Sequence, residues 1–266
     1  MVTYRDVINA FRDLDLGSHS RVIVHASLSA FGEVSGGADT IVGALLTTCE
    51  TVMLPTFTYR TMVIPKNGPP DNAIDYGSAD EENLKTEFFH PDMPADSAMG
   101  VIAETLRLRP EAKRSSHPIL SFAGVNPEQA FDLQTLEAPL APIKWLEEYD
   151  GDVLQLGVDY TVNTSLHYAE EKAERRRFIR WALTPQGVLE CPAWPGCSRG
   201  FQAIAPRLEG VARRVALGTS TVEVIPLRDL IHITVSWIHE DPRALLCDEL
   251  GCPRCAATRA SVRVAS

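Results

Sequence analysis

The chain has 266 residues, of which 45% are apolar, so it is long enough to bury a core without disulfide bonds. Its formal net charge is −10, which argues against nucleic acid as a partner and favours a cationic ligand. No run of about 18 apolar residues occurs, and the N-terminal segment lacks a basic stretch followed by an apolar one, so we expect a cytoplasmic protein with no membrane partner.

Helical and strand patterns alternate along the chain. Apolar residues at helical spacing predict a first helix over 4–16, and a β-branched run starting at Arg21 predicts a first strand. The further predicted elements are helices at 38–46 and 98–108 and strands at 51–55, 119–123 and 152–158. Strands separated by helices predict an α/β fold with a mixed, largely parallel sheet flanked by helices, in a single domain over 1–266.

The segment 59–96 has no clear period and is rich in acidic residues. Between Asp71 and Asp96 it holds eight carboxylates and one cation, Lys85. A long connection without structure is usually functional or disordered, so the segment is interpreted either as a solvated surface loop or as part of a site.

A helix is predicted to begin at Asn163 or Thr164, either of which would serve as its N-cap. His167 then falls in the first turn, just past the carboxyl end of a buried strand, where ligands bind in open α/β sheets. The helix dipole disfavours imidazolium there, so His167 is expected to stay neutral and accept a proton, with Glu170 on the same helical face. The alternative is a packed histidine without a catalytic role.

Two other segments contain candidate ligand-binding residues. Ser27 and Ser29, followed by the glycines at 36–37, resemble a loop that could contact a phosphate or pantetheine chain. His117 precedes Pro118, which favours a turn that either exposes the imidazole or bonds it to the backbone. The chain has no Walker A, dinucleotide-binding or nucleophile-elbow sequence, which disfavours nucleotide hydrolysis, NAD chemistry and serine hydrolysis.

Five of the six cysteines fall in the last third of the chain, within a Cys-rich segment at 191–255. Cys252 and Cys255 have the two-residue spacing of a zinc knuckle, and Cys197 and Cys247 would complete a set of four thiolates. A structural zinc site is one interpretation, and scattered reduced thiols are the other.

Five segments, in order along the chain, resemble the aminoglycoside 3-N-acetyltransferase family, also called antibiotic acetyltransferases, which is unrelated to the GCN5-type acetyltransferases. They are 24–38 (VHASLSAFGEVSGGA), 52–58 (VMLPTFT), 113–124 (KRSSHPILSFAG), 154–158 (LQLGV) and 163–170 (NTSLHYAE). The resemblance implies an antibiotic acetyltransferase-like fold and transfer of an acetyl group from acetyl-CoA to the 3-amino group of a 2-deoxystreptamine aminoglycoside, which confers resistance.

The resemblance also assigns roles to individual residues. It implies His167 as general base, Thr164 near the thioester sulfur and Glu170 as a partner of the histidine, although that carboxylate could come from elsewhere in the chain. The residues expected to bind acetyl-CoA are Ser27, Leu28, Ser29, Gly36, Gly37, Ser115, His117 and Asn163. Some family members have cysteines or a histidine at comparable C-terminal positions, which favours zinc at Cys197, Cys247, Cys252 and Cys255.

A polycationic acceptor needs carboxylates, so the resemblance favours the acidic segment as one wall of the antibiotic site. The carboxylates expected there are Asp71, Asp75, Asp80, Glu81, Glu82 and Asp92. Two alternatives stay open: an acetyltransferase for a non-antibiotic amine, and a zinc-stabilised binding protein without turnover. The sequence leaves the oligomeric state open, with a homodimer as one alternative.

Overall fold

A mixed seven-stranded sheet runs through the centre of the protein, of which the computed structural model describes residues 1–262. The strands are β1 Arg21–Ala26, β2 Thr51–Pro55, β3 Met62–Val63, β4 Lys113–Arg114, β5 Phe122–Val125, β6 Asp152–Leu156, β7 Phe178–Thr184, β8 Gly187–Trp194, β9 Arg213–Leu217 and β10 Ser220–Pro226. The helices are α1 Tyr4–Asp13, α2 Gly37–Thr48, α3 Ala79–Glu82, α4 Gly100–Arg107, α5 Glu128–Asp132, α6 Ala141–Glu148, α7 Thr164–Lys172, α8 Leu227–Glu240 and α9 Pro253–Ser261.

The strand order of the large sheet is β4-β5-β2-β1-β6-β10-β9. At its centre β1 pairs in parallel with both β2 and β6, whereas β5 and β10 run antiparallel to their neighbours. Five of the seven strands therefore point the same way, which confirms the predicted mixed, largely parallel sheet.

Helices cover both faces of this sheet. In β1, Val22 and Val24 belong to the apolar cluster that includes α1, α2 and α4, whereas Ile23 belongs to the cluster that includes α6, α7 and α8. Successive side chains of a strand point to opposite faces, so both faces of the central strands must be apolar. This is why consecutive apolar residues lie at the centre of each strand, as Val22 to Val24 do in β1 and Val52 to Leu54 in β2. Within residues 1–262, no helix has the length and apolar character needed to cross a bilayer.

The predicted strand at 119–123 is shifted in the structure, where β5 covers Phe122–Val125. His117 Nδ1 accepts hydrogen bonds from the backbone N–H groups of Ile119 and Leu120, at 3.1 and 2.9 Å. These N–H groups are engaged in a turn, so the strand begins only after them.

The segment 59–96 is ordered rather than structureless, which corrects the sequence-based expectation. Its strand β3 joins β7 and β8 in a separate three-stranded antiparallel sheet. Asn72 extends the pairing with its side chain, since its Nδ2 donates to Ile179 O at 3.0 Å and its Oδ1 accepts from Ile179 N at 2.8 Å. These partners lie 107 residues apart, so local sequence patterns do not reveal them.

Candidate active site

A cavity of about 1020 Å³ opens at the carboxyl ends of the three parallel central strands. Val24 and Ala26 of β1, Leu54 and Pro55 of β2, and Val158 just after β6 line it. Ligands bind at this edge in open α/β sheets because the loops that follow the strands converge there. The cavity is therefore the candidate active site.

Residues from two parts of the fold form the cavity walls. The first, here called the sheet wall, consists of residues 27–29, Gly37 and residues 97–101, which follow or flank the central strands. The second, here called the distal wall, belongs to the small sheet and the C-terminal segment and consists of Tyr59, Met62, Trp194, Pro195, Gly196, Ser198 and Arg254. Helix α7 adds Asn163, Thr164 and His167.

His167 belongs to a buried chain of charged groups. Its Nδ1 lies 2.8 Å from Glu170 Oε2, with side-chain exposures of 12% and 7%. The other carboxylate oxygen of Glu170 accepts a hydrogen bond from Arg175 at 2.9 Å. Arg175 also donates to the backbone carbonyls of Pro242 and Ala244. The chain thus joins α7 to the segment after α8.

The contact with Glu170 determines which ring nitrogen of neutral His167 carries the proton. A carboxylate only accepts hydrogen bonds, so the proton of neutral His167 lies on Nδ1 and Nε2 keeps a free lone pair. The ring packs against Phe201 at a centroid distance of 4.7 Å, and the side chain lines the cavity. His167 has the arrangement that general-base chemistry requires.

The start of α7 is tied to the central sheet. Asn163 is the N-cap, and its Oδ1 accepts from Ser165 N at 3.0 Å, which confirms the predicted helix start. Its Nδ2 donates to Gln155 Oε1 on β6 at 3.2 Å. A cap of this kind contributes about 1 kcal/mol of stability, and here it also fixes Thr164 and His167 relative to β6.

Most of the residues expected to bind acetyl-CoA line the cavity: Ser27, Leu28, Ser29, Gly37 and Asn163. The hydroxyls of Ser27 and Ser29 lie 3.2 Å apart. Gly36 is not among the lining residues. It caps α2 in the left-handed conformation, at φ +78°, which glycine adopts without strain. Whether these residues bind acetyl-CoA stays a prediction.

Ser115 and His117 are not among the residues that line the cavity, and their expected role in binding acetyl-CoA stays a prediction. Both are buried, and Ser115 Oγ accepts from Phe122 N at 2.9 Å. His117 holds the turn before β5, and burial lowers its pKa to about 4. Their contacts organise the backbone, and this matches the alternative of a turn histidine bonded to the backbone.

The acidic segment does not form a wall of this cavity. Six carboxylates of this segment are exposed on the surface and are not among the residues that line the cavity: those of Asp71, Asp75, Asp80, Glu81, Glu82 and Asp92. They lie there because the pairing of β3 and Asn72 with β7 fixes the segment, so that only Tyr59 and Met62 from residues 59–96 reach the cavity. The expected role of these carboxylates as one wall of the antibiotic site stays a prediction.

The four predicted metal-ligating cysteines are brought together. The Sγ atoms of Cys197, Cys247, Cys252 and Cys255 lie within 4.8 Å of one another, and all four residues are buried. The Sγ atom of Cys247 is 3.9 Å from that of Cys197 and 3.4 Å from that of Cys255. Four thiolates at about 2.3 Å from a tetrahedral zinc ion have similar spacings, so the residues fit that metal.

Sequence reasoning did not identify two cavity-lining residues and one supporting residue. His25 is buried on β1, where burial lowers its pKa to about 3, and its Nε2 has no hydrogen-bond partner in residues 1–262. Arg254 lies between two of the clustered cysteines, and its guanidinium donates to Gly196 O at 2.8 Å. Arg175 is one of three consecutive arginines, and nothing in the local pattern distinguishes it from the other two.

Comparison with known proteins identifies the family. Residues 23–239 match the model of the family described as aminoglycoside 3-N-acetyltransferase. A relative from Micromonospora chalcea, aminoglycoside N(3)-acetyltransferase IX, is 33% identical over 269 residues, covering 89% of this chain and 93% of that protein. The chain belongs to the aminoglycoside 3-N-acetyltransferase family.

Solved structures share the fold of this family member. The apoenzyme of aminoglycoside acetyltransferase AAC(3)-IVa has a TM-score of 0.79 and 24% identity, covering 98% of both chains. The AAC-IIIb structure described as binary with CoASH has a TM-score of 0.71 and 23% identity, covering 90% of this chain and 96% of that one. The fold expected from the sequence resemblance is therefore confirmed.

Proposed function

We propose that this family member transfers the acetyl group of acetyl-CoA to the 3-amino group of a 2-deoxystreptamine aminoglycoside. The observation that carries the proposal is the His167–Glu170 pair, whose histidine lines a cavity of about 1020 Å³ in a member of this family. The Micromonospora chalcea relative is named for N(3) acetylation. The AAC-IIIb structure is described with coenzyme A.

The proposed mechanism begins with removal of a proton. An ammonium group has no lone pair for attack, so His167 Nε2 takes the proton and Glu170 stabilises the imidazolium that forms. The amine nitrogen then bonds to the thioester carbon, and the tetrahedral oxyanion takes hydrogen bonds from Thr164 and neighbouring backbone N–H groups. When the carbon–sulfur bond breaks, the oxyanion re-forms the carbonyl, and the sulfur leaves with the electron pair and takes the proton held by His167. The freed Nε2 then accepts the remaining extra proton of the new amide nitrogen and releases it to solvent.

The test is acetyl-CoA-dependent CoA release with a panel of 2-deoxystreptamine aminoglycosides, with mass spectrometry of the product. His167→Ala should lower kcat by roughly 10² to 10⁴, the usual contribution of a general base. His232→Ala, which removes an exposed histidine from α8, is the control and should leave kcat unchanged. Full activity of His167→Ala would exclude the proposed base.

A second candidate is acetylation of a non-antibiotic amine. It is favoured by the composition of the cavity, since none of its lining residues within 1–262 is Asp or Glu, whereas a polycation usually needs carboxylates. The same assay with simple primary amines and amino sugars separates the two candidates. Replacing the surface carboxylates of the acidic segment by amides is predicted to raise KM only for a polycationic acceptor.

The cysteine cluster is proposed as a structural zinc site. All four positions around the metal would be occupied by protein thiolates, so the ion would bind no substrate and would fix the fold of the C-terminal segment. Reduced thiols and free acetyl-CoA both fit the proposed cytoplasmic location.

A further inference from the structure

The distal wall carries the one charged group, other than histidine, among the cavity-lining residues of the described chain. That group is the guanidinium of Arg254, which donates to Gly196 O and forms no ion pair with a carboxylate in residues 1–262. A lone cation in the cavity repels the cationic acceptor that the family implies and attracts the phosphates of acetyl-CoA, so its effect depends on which of the two substrates it meets.

Arg254 is held in place from two sides. It lies in the first turn of α9, between Cys252 and Cys255, whose thiols belong to the cysteine cluster. Its hydrogen bond to Gly196 O attaches it to the residue before Cys197, the third member of the cluster. Because these contacts fix the side chain, the positive charge of Arg254 has a defined position in the cavity.

Arg254 lies near the His167–Glu170 pair, and we expect it on the acceptor side of the reaction centre. Its partner Gly196 lies against the carboxylate of Glu170, since a Cβ on that glycine would be 3.4 Å from Oε2. Arg254 is also close enough to Tyr59 to affect its pKa. Burial and the nearby Asp96 raise the pKa of Tyr59 to about 12, and the positive charge of Arg254 opposes this rise. The sheet wall, with Ser27 and Ser29, is the part expected to take acetyl-CoA, so the distal wall is left for the acceptor.

We propose that Arg254 is a specificity-determining residue, which selects acceptors that present a hydroxyl or other oxygen, rather than a second ammonium group, to the distal wall. A guanidinium donates hydrogen bonds to a hydroxyl oxygen, but it repels an ammonium group and has no lone pair to accept its protons. This inference rests on the proposed function and narrows its acceptor to aminoglycosides with fewer amino groups on the ring that meets Arg254.

The test uses matched aminoglycosides that differ only by a hydroxyl or an amino group at one ring position, such as paromomycin with neomycin and kanamycin A with kanamycin B. The zinc-loaded wild type, Arg254→Gln and Arg254→Lys are compared by kcat/KM and by calorimetric Kd. In at least one pair the wild type should favour the hydroxyl compound, and Arg254→Gln should shift that ratio on the order of tenfold towards the amino compound. Arg254→Lys keeps the charge and should keep most of the preference.

Controls separate a charge effect from a loss of structure. Arg199→Gln removes an exposed arginine beside Cys197 that pairs with Glu249, and it should leave the ratio unchanged. Metal content is measured for every variant, so a collapsed cysteine cluster is recognised. An unchanged ratio in every pair for metal-loaded Arg254→Gln would overturn the inference alone. If no aminoglycoside binds to wild type or variant although acetyl-CoA binds, the inference and the proposed aminoglycoside acceptor are both overturned.

Discussion

At the scale of single residues, Glu170 connects the proposed base to its supporting arginine. Glu170→Gln keeps the size of the side chain but removes the charge that would stabilise imidazolium at His167. We expect kcat to fall roughly 10²-fold or more, with little change in KM for acetyl-CoA. Steady-state kinetics checks this. Glu171→Gln, which changes the next carboxylate along α7, is the control, and an equal loss in both variants would contradict the assignment.

Arg175 supports the same network through its charge and its carbonyl contacts. The side chains of Arg175 and Glu170 are only 5% and 7% exposed. Arg175→Met keeps the length of the side chain but leaves the buried carboxylate of Glu170 without its arginine partner. Breaking a buried pair from one side costs about 3–5 kcal/mol in the free energy of unfolding.

Urea unfolding measures this cost. The comparison is Arg177→Met, which breaks the more exposed pair between Arg177 and Glu171, and it should cost under about 1 kcal/mol. Similar costs for both variants would mean that Arg175 is not the main support of Glu170.

At the scale of elements, the cysteine cluster joins three separate parts of the chain. Cys197 follows β8, Cys247 lies in the connection after α8, and Cys252 and Cys255 lie at the start of α9. If zinc links them, α9 depends on the metal, because a nine-residue helix is too short to be stable alone.

We expect the purified protein to contain one equivalent of zinc, and Cys252→Ser to lose it together with hydrogen-exchange protection of α9. Elemental analysis and hydrogen-exchange mass spectrometry check both results. Cys191→Ser changes a buried cysteine outside the cluster and should keep the metal. Full protection of α9 in metal-free protein would contradict the proposed role.

Elements set by local patterns could be predicted from the sequence. Strand β2 has the predicted bounds, 51–55, because a short apolar run forms a buried strand, and α7 starts at its polar cap. The segment 59–96 could not be predicted, because its structure depends on β3 and Asn72 pairing with β7, where Ile179 lies 107 residues after Asn72. The cysteine spacing predicted the cluster, but nothing local indicated that Arg254 inside it would line the cavity.

At the scale of the whole molecule, buried titrating groups link stability to pH. Burial lowers the pKa of His25 to about 3 and that of His117 to about 4, so both are neutral in the folded state while the unfolded chain protonates them near pH 6.5. Their contribution to stability is present above pH 6.5 and is lost as pH falls towards 4. Asp152 acts in the opposite direction, since burial raises its pKa to about 6 from 3.8 and folding then binds a proton.

Unfolding between pH 4 and 6 adds a proton to each of the two histidines and releases one from Asp152, so the unfolded chain binds about one proton more than the folded protein. The free energy of unfolding therefore falls by about 1.4 kcal/mol for each pH unit of acidification. Urea titrations at pH 7, 6 and 5 measure this slope. In His117→Gln one of the two titrating histidines is gone, so the slope between pH 6 and 5 should nearly vanish even if the variant is less stable at every pH. Parallel slopes for variant and wild type would mean that His117 titrates alike in the folded and unfolded chains, and the acid sensitivity would then have to come from His25 or from the ion-paired carboxylates.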